Sequence, residues 1–432
     1  MSVTTLEGVA MPGGVTSLGG GRVPSARGRF VSDDERIPEN IRRQPGAPAD
    51  EGHLFELAGP RDTLYFDPQH ARAGIVTCGG LCPGLNNVVR SLFRELRDGY
   101  GVREVLGFRM GYQGLDPTRA IEPFVLNHTM VDEIHKHGGT LLGTSRGAVN
   151  IDAAVENLIQ RKVDMLFCIG GDGTQRGAYA LYEACRKRGH PLSVVGVPKT
   201  IDNDVRHVTR TFGYLTALEE SCRVIEAAHT EARSVHNGVA LVKLMGRHAG
   251  FIAAGATIAN QDVNFTLIPE VPFALDGPGG FLAALKRRIL ERNHAVVVVA
   301  EGAGQDLFPD APQRRDASGN IKLNDIGLFL AKAIETYFAE QCIPMTLRYF
   351  DPGYQIRSRP ANCEDAVLCD QFARKAVHAA MAGKTGLVIG FLHNVFIHVP
   401  TDLIVSYVKR LDLEGPIWQA ALAATRQPAH FA

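Results

Sequence analysis

Short apolar runs alternate along this chain with stretches whose apolar residues recur every three or four positions. Residues 73–78 form one such run and close on Gly79-Gly80. In the segment that follows, 81–100, Leu85, Val88, Val89, Leu92, Phe93 and Leu96 fall at helical spacing. The run predicts a strand, the spacing predicts a helix, and the glycine pair predicts a tight turn between them. The same phrase recurs as the run 163–169, then Gly170-Gly171-Asp172-Gly173, then a helix over about 174–188. Further strands are predicted at 193–197, at 238–244 before Gly246, at 294–300 before Glu301-Gly302, and at 385–391 after Gly383.

Strands that are apolar throughout and separated by helices belong in parallel sheets covered on both faces, so the predicted class is α/β. Such sheets bind ligands beyond the carboxyl ends of their strands. Apart from that of the last strand, each glycine-rich or charged motif lies at such an end, which points to one composite site. Glycines that merely terminate strands account for Gly101 and Gly189. They do not account for a Gly-Gly-Asp-Gly followed by a Thr-Ile-Asp-Asn-Asp. Residues 1–50, rich in Gly, Pro and Arg and without periodicity, read as mostly irregular. Residues 51–72 are transitional, with Leu64-Tyr65-Phe66 as a short strand or anchor.

Composition narrows the function. The chain has 432 residues, of which 45% are hydrophobic and 21% charged, the profile of a globular protein with more than one core. Lys plus Arg total 46 and Asp plus Glu total 46, so no overall basic field recommends nucleic acid or a membrane surface. An anionic ligand must be held by local cations and backbone amides. No stretch reaches the ~18 apolar residues of a membrane span, and the N-terminus lacks the basic start and apolar core of a secretory signal. Residues 1–30 carry three Arg against Glu7 alone, a faint mark of a transit peptide, and read instead as a tail. The eight cysteines include no CxxC pair and several lie inside apolar runs, so a reducing, cytoplasmic setting is expected. Cys78 and Cys82 flank a glycine loop without a second ligand pair that would make a metal site.

The segment Gly170-Gly171-Asp172-Gly173-Thr174 would lay bare backbone against a polyanion, since glycines remove the Cβ atoms that block phosphate and amides at a helix start donate to it. Asp172 is the odd member, for a carboxylate repels phosphate unless a cation lies between. Mg²⁺ takes one or two carboxylates plus phosphate oxygens, so Asp172 is a candidate Mg²⁺ partner. The motif also marks NAD kinases and diacylglycerol kinases. Thr200-Ile201-Asp202-Asn203-Asp204 adds two carboxylates two residues apart, on one face if the segment is extended. Either suits proton transfer from an acceptor hydroxyl. Asp-Asn-Asp is equally good turn chemistry.

From about residue 55 to its end the chain resembles the ATP-dependent 6-phosphofructokinases, in particular their plant-like and trypanosomatid-like branch. The resemblance is carried by Cys78-Gly79-Gly80-Leu81-Cys82-Pro83-Gly84-Leu85-Asn86, by residues 107–115 and 138–147, by the two motifs above with Pro198-Lys199 before the second, by Lys243-Leu244-Met245-Gly246-Arg247, and by Asp351-Pro352-Gly353-Tyr354-Gln355-Ile356-Arg357. It implies two similar lobes, each a mainly parallel sheet flanked by helices, with the active site in the cleft between them. Residues 71–214 with about 356–400 would form the nucleotide-binding lobe. Residues 215–355 with about 401–432 would form the sugar-phosphate-binding lobe, and 1–70 an N-terminal extension. Asp202 resembles the base that takes the proton from the sugar C1 hydroxyl, with Thr200 and Asp204 beside it. Gly79, Arg146, Gly170, Gly171, Gly173 and Thr174 would meet ATP, with Asp172 holding Mg²⁺. Arg247 would stabilise the transferring group, and Lys199 would join the catalytic set. Met245, Gly246, Glu301, Arg348, Tyr354 and Arg357 would bind fructose 6-phosphate, Arg348 and Arg357 taking its phosphate. A homo-oligomer, dimer or tetramer, is expected.

The chain departs from bacterial members at Gly238, where they carry an arginine, and at Tyr354, where they carry a histidine. Two positions bear on the donor. Pyrophosphate enzymes place an Asp where Gly173 stands, and Gly173 leaves room for a nucleotide. Lys199 is usual in pyrophosphate enzymes, though the plant-like ATP branch also pairs it with glycine. ATP is therefore the expected donor. Pyrophosphate, an NAD or lipid kinase, and a non-catalytic sugar-phosphate-binding subunit are the alternatives. The last should have lost Asp172 or Asp202, and both are present. His248, His135 and His137 read as structural or surface residues.

Overall fold

The computed structural model describes residues 15–42, 52–147, 150–309, 314–315 and 321–432. They form two compact units. The first comprises Met1–Thr200, Val205–Gly213 and Arg359–Val408, and the second Ile201–Asp204, Tyr214–Ser358 and Lys409–Ala432.

The first unit is built on a nine-stranded sheet in the order Arg36–Pro38, Leu54–Leu57, Val395–Pro400, Leu387–Leu392, Ser193–Pro198, Met165–Gly170, Arg72–Thr77, Glu104–Phe108 and Phe124–Val125. The five strands from Leu387–Leu392 to Glu104–Phe108 run parallel, and antiparallel strands close both edges. Met165–Gly170 and Ser193–Pro198 are buried at every position, as uninterrupted apolar runs require of central parallel strands. The helices Leu85–Arg94 and Cys363–Met381 pack on each other, as do Ile151–Gln160 and Asp172–Lys187. Each fully buried Leu or Phe in these layers contributes about 1.5–3 kcal/mol.

Two expected elements are interrupted. The helix expected over 81–100 begins at Leu85 after Gly84, whose φ is 95°, and passes into a π-helical turn, Glu95–Tyr100, ended by Gly101. That turn carries the buried carboxylate of Glu95, which pairs with Arg27 and Arg374. The strand expected at 385–391 breaks at Gly386, where a φ of 65° and a Tyr182 ring that would lie 2.9 Å from any Cβ both require glycine. Lys384–Thr385 turns aside to pair with Thr16–Ser17, and Leu387–Leu392 enters the sheet.

The second unit holds a four-stranded, all-parallel sheet in the order Phe265–Leu267, His294–Ala300, Gly238–Leu244 and Thr346–Phe350. Its core gathers Val239, Leu241, Phe265, Phe281, Val297, Leu330, Phe338 and the near-terminal Phe431. Among the described residues no helix is long and apolar enough to cross a membrane. All eight cysteines are free, with Cys78, Cys82, Cys168, Cys185 and Cys369 buried. Burial pushes the Cys78 thiol well above its ordinary pKa, so it is held neutral. No group of three or more potential metal ligands occurs among the described residues.

Residues 15–42 contribute three short strands, Thr16–Ser17, Val23–Pro24 and Arg36–Pro38, to a stretch expected to be mostly irregular. Their backbone pairing is joined by a polar cluster. Arg61 donates to Glu56 at 2.6 Å and to Asp33 at 2.7 Å. Lys384 meets the same two carboxylates, at 3.1 and 2.9 Å. His398 lies 3.2 Å from Glu56, and Arg61, Glu56 and His398 are buried. Burial alone would raise the Glu56 pKa, but His398, Lys384 and Arg61 overcome it and hold the carboxyl far below the carboxylate range. A depressed folded pKa gives stability that is full above the unfolded value of about 4.3 and lost as the pH falls below it. In thermal melts from pH 7 to pH 3, the gap in Tm between the native protein and Glu56→Gln is expected to shrink below about pH 4.3. A gap independent of pH would contradict this account.

Candidate active site

In the first unit, the expected phosphate-binding residues meet where strands Arg72–Thr77, Met165–Gly170 and Ser193–Pro198 end. Gly79 has φ 86°, donates to Ser145 O at 3.0 Å and accepts from Thr144 Oγ1 at 2.7 Å. Those two bonds bind its loop to the segment that ends in Arg146, which is exposed and makes no ion pair with a described residue. Lys199 Nζ donates to Gly80 O at 2.6 Å, while its backbone N–H donates to Gly170 O at 3.1 Å. A Cβ on Gly79 would lie 3.6 Å from Lys199 Nζ and 4.0 Å from Thr174 Oγ1, so Gly79, Thr174 and Lys199 share one small space.

The helix Asp172–Lys187 starts directly after Gly171, so the strand-turn-helix pattern expected from the sequence is realised here with no side chain capping the helix. Thr174 N–H turns back to Gly171 O at 2.9 Å, which leaves the amides of Asp172 and Gly173 to donate outward. The glycines of this turn serve two purposes. Gly170 is required by the fold, because a Cβ there would strike Thr174 Oγ1 at 2.1 Å. Gly173 is not: its φ is ordinary, and a Cβ would come no nearer than 4.0 Å to any atom, Arg176 Nη2. Asp172 is half-exposed and paired with Arg176 one turn along the helix. Thr174 is buried, its carbonyl accepting from Tyr112 Oη at 2.7 Å.

Thr200, still in the first unit, accepts from Thr211 Oγ1 at 2.8 Å through its carbonyl. Residues 201–204 belong to the second unit. Asn203 there has φ 55°, so the segment is a turn, which asparagine tolerates, and the extended geometry considered for two carboxylates on one face is not adopted. Arg247 N–H donates to Asp202 Oδ2 at 3.5 Å, and Lys409 N–H donates to Asp204 O at 2.9 Å. The Met245-Gly246-Arg247 turn is clamped to the next strand end, where Glu301 N–H donates to Leu244 O and Gly302 N–H to Gly246 O. No side chain fits at Gly302, where a Cβ would sit 2.0 Å from Arg247 O.

Glu301 is drawn two ways. Burial raises its pKa above the usual value, while the cations of Arg247, Lys243 and Arg357 oppose that rise. Tyr354 is exposed, and Arg357 stacks over its ring at 4.5 Å. Met245 lies beside Gly353, whose Cβ would be 3.6 Å from Met245 Cγ. Arg348 stands apart from this group. It projects from the middle of the strand Thr346–Phe350 and pairs with Glu231 at 3.6 Å. His248 is exposed.

Residues 72–380 match the family model described as phosphofructokinase. The chain is 45% identical over 407 residues to an ATP-dependent 6-phosphofructokinase of Borreliella burgdorferi, covering 92% of this chain and 91% of that one. The chain belongs to the phosphofructokinase family. A second member of that family, ATP-dependent 6-phosphofructokinase 1 of Arabidopsis thaliana, is 44% identical over 404 residues, covering 93% of this chain and 84% of its own. Among solved structures, a pyrophosphate-dependent phosphofructokinase from Marinobacter aquaeolei superposes with a TM-score of 0.68 over 82% of this chain and 91% of that one. At 19% identity that likeness shows the phosphofructokinase fold alone and carries nothing about the donor.

One polar residue of this group escaped the reading of the sequence as a site residue. Lys243 was visible only as part of a motif, although a single cation in the otherwise apolar strand Gly238–Leu244 is itself a signal. Gly173 yields a test. Gly173→Ala is expected to leave Tm unchanged or to raise stability by about 0.4–1 kcal/mol, since the fold has room for the methyl group. The same change is expected to raise the KM for the phosphoryl donor about tenfold, ~1.4 kcal/mol. An unchanged donor KM would remove phosphate from this turn.

Proposed function

We propose that this chain is an ATP-dependent 6-phosphofructokinase, transferring the γ-phosphoryl group of ATP to the C1 hydroxyl of fructose 6-phosphate to give fructose 1,6-bisphosphate and ADP, a step of glycolysis. The observation that carries the mechanism is the bond from Arg247 N–H to Asp202 Oδ2, which couples a carboxylate base to the residue that supplies positive charge. Asp202 accepts the proton of the C1 hydroxyl as the oxygen attacks phosphorus. Arg247 offsets the charge that spreads over the equatorial oxygens of the transferring group. Thr200 and Asp204 hold the backbone on either side of the base. Glu301, Met245, Gly246, Tyr354 and Arg357 bind the sugar phosphate, Arg357 by a charge-assisted contact to its phosphate. Arg348 would join in binding that phosphate only by leaving its pair with Glu231.

Gly79, Arg146, Gly170, Gly171, Gly173 and Thr174 receive the nucleotide phosphates. Mg²⁺ suits Asp172, a half-exposed single carboxylate beside a helix start, because this ion takes few protein ligands and shares phosphate oxygens. When bound, it would neutralise phosphate charge during transfer. Lys199 joins the catalytic set without deciding the donor: one of its three ammonium donors goes to Gly80 O and anchors the glycine loop, and a lysine can meet the phosphate of either donor. The space at Gly173 favours ATP over pyrophosphate. The free thiols fit a reducing cytoplasm, and a homo-oligomer, dimer or tetramer, completes the reading.

Two measurements test it. Purified protein supplied with fructose 6-phosphate is expected to turn over with ATP and not with pyrophosphate; turnover with pyrophosphate alone would establish the other donor. Asp202→Asn is expected to lower kcat by a factor of about 100 or more, the scale of a lost general base, with the KM for fructose 6-phosphate nearly kept. Near-normal turnover would take the base role from Asp202.

A further inference from the structure

Lys243 occupies the penultimate position of the strand Gly238–Leu244, which lies between His294–Ala300 and Thr346–Phe350 and is otherwise apolar. An ammonium so placed is costly unless it is paired. Lys243 Nζ lies 3.0 Å from Asp325 Oδ2 and 2.9 Å from Asp351 Oδ2, with its side chain only 13% exposed. Burial alone would lower its pKa, but the two carboxylates outweigh that, raise it and keep it charged. Each belongs to a different element. Asp325 caps the helix Ile326–Glu340 by accepting from Leu328 N–H at 3.1 Å. Asp351 follows the strand Thr346–Phe350 and opens the short segment that carries Tyr354 and Arg357. Lys243 and Asp325 also line, with Glu301, a cavity of about 510 Å³.

We infer that Lys243 is a positioning residue for the sugar-phosphate site: its ion pair with Asp351 sets the segment bearing Tyr354 and Arg357, and its charge faces Glu301 across the shared cavity. This rests on the reading of Glu301, Tyr354 and Arg357 as acceptor-binding residues. Neutralising the ammonium is one role of the pairing, but Asp325 and Asp351 are 40% and 46% exposed, so solvent screens both pairs and they add little to stability beyond that. A displacement of about 1 Å in a substrate-positioning segment, by contrast, can cost about 100-fold in rate. The charge has a second consequence. The groups that act on Glu301 are Arg247, Lys243, Arg357 and Asp351, with Asp325, Arg314 and Lys322 on the cavity wall. Removing the Lys243 cation leaves Asp351 uncompensated and takes away one influence that lowers the Glu301 pKa, so its carboxyl must then titrate at higher pH.

The test compares Lys243→Met, Lys243→Arg, Asp351→Asn and Arg357→Ala in steady-state kinetics with both substrates varied. Lys243→Met is expected to raise the KM for fructose 6-phosphate about tenfold or more, with the donor KM nearly unchanged. It should also move the acid limb of kcat/KM for fructose 6-phosphate to higher pH, and Lys243→Arg should restore most of both. Asp351→Asn, a change at a half-exposed carboxylate that leaves Lys243 paired with Asp325, should raise the same KM by a smaller factor and keeps the test open if Lys243→Met does not fold. An unchanged sugar KM and acid limb in Lys243→Met or, failing that, an unchanged KM in Asp351→Asn, while Arg357→Ala raises the sugar KM, overturns the positioning role alone. An unchanged sugar KM in Arg357→Ala overturns the acceptor-site reading and this inference with it.

Discussion

A parallel strand covered on both faces has no side that water can reach, so it cannot carry polar side chains along its length without partners for each. Met165–Gly170, Ser193–Pro198 and most of His294–Ala300 obey that rule residue by residue. Polar chemistry is thereby driven to the carboxyl ends of the strands, where the chain turns and backbone groups are open. Gly79, Gly170, Lys199, Met245 and Glu301 all stand at or just beyond such ends. Lys243 is the informative exception, admitted one residue early because two carboxylates meet it.

The chain has no net charge with which to attract a polyanion, so binding has to be local. In the first unit the proposed means are backbone amides at an uncapped helix start, beside Lys199, which also holds the neighbouring glycine loop. In the second unit they are side chains: Arg247, Lys243 and Arg357 act together on the half-buried Glu301. Backbone amides suit a ligand recognised by its phosphates, and a half-buried carboxylate among cations suits one recognised by its hydroxyls. The difference in chemistry between the units follows the difference between donor and acceptor in the proposed reaction.

Glycine content by itself did not distinguish scaffold from site. Gly170 and Gly302 are glycines because a Cβ would strike Thr174 Oγ1 or Arg247 O at 2.1 and 2.0 Å, and Gly84 because of the Cys369 sulfur at 2.5 Å and a φ of 95°. Gly173 has neither reason, so its smallness is left to the nucleotide of the proposed reaction.

Strand runs, helical spacing and glycine turns were legible in the sequence because burial on both faces leaves an unbroken apolar run, and this pattern placed the strands Gly238–Leu244 and His294–Ala300 to the residue. The motifs were legible for a related reason: tight turns at strand ends admit few residue types, as at Gly170 and Gly302. What the sequence did not reveal depends on residues far apart in the chain. The π-helical turn at Glu95 comes with cations supplied by Arg27 and Arg374. The strands of residues 15–42 form because Lys384–Thr385 and other distant segments pair with them. Asn203 turns a segment that local pattern allowed to be extended. Lys243 becomes more than a polar residue at a strand end only when Asp325 and Asp351, brought to it by the folded sheet and helix, lie within 3.0 Å. Local pattern decides which segments are strands and helices; the partners of a buried charge are decided by tertiary structure, because no spacing along the chain encodes who will neutralise it.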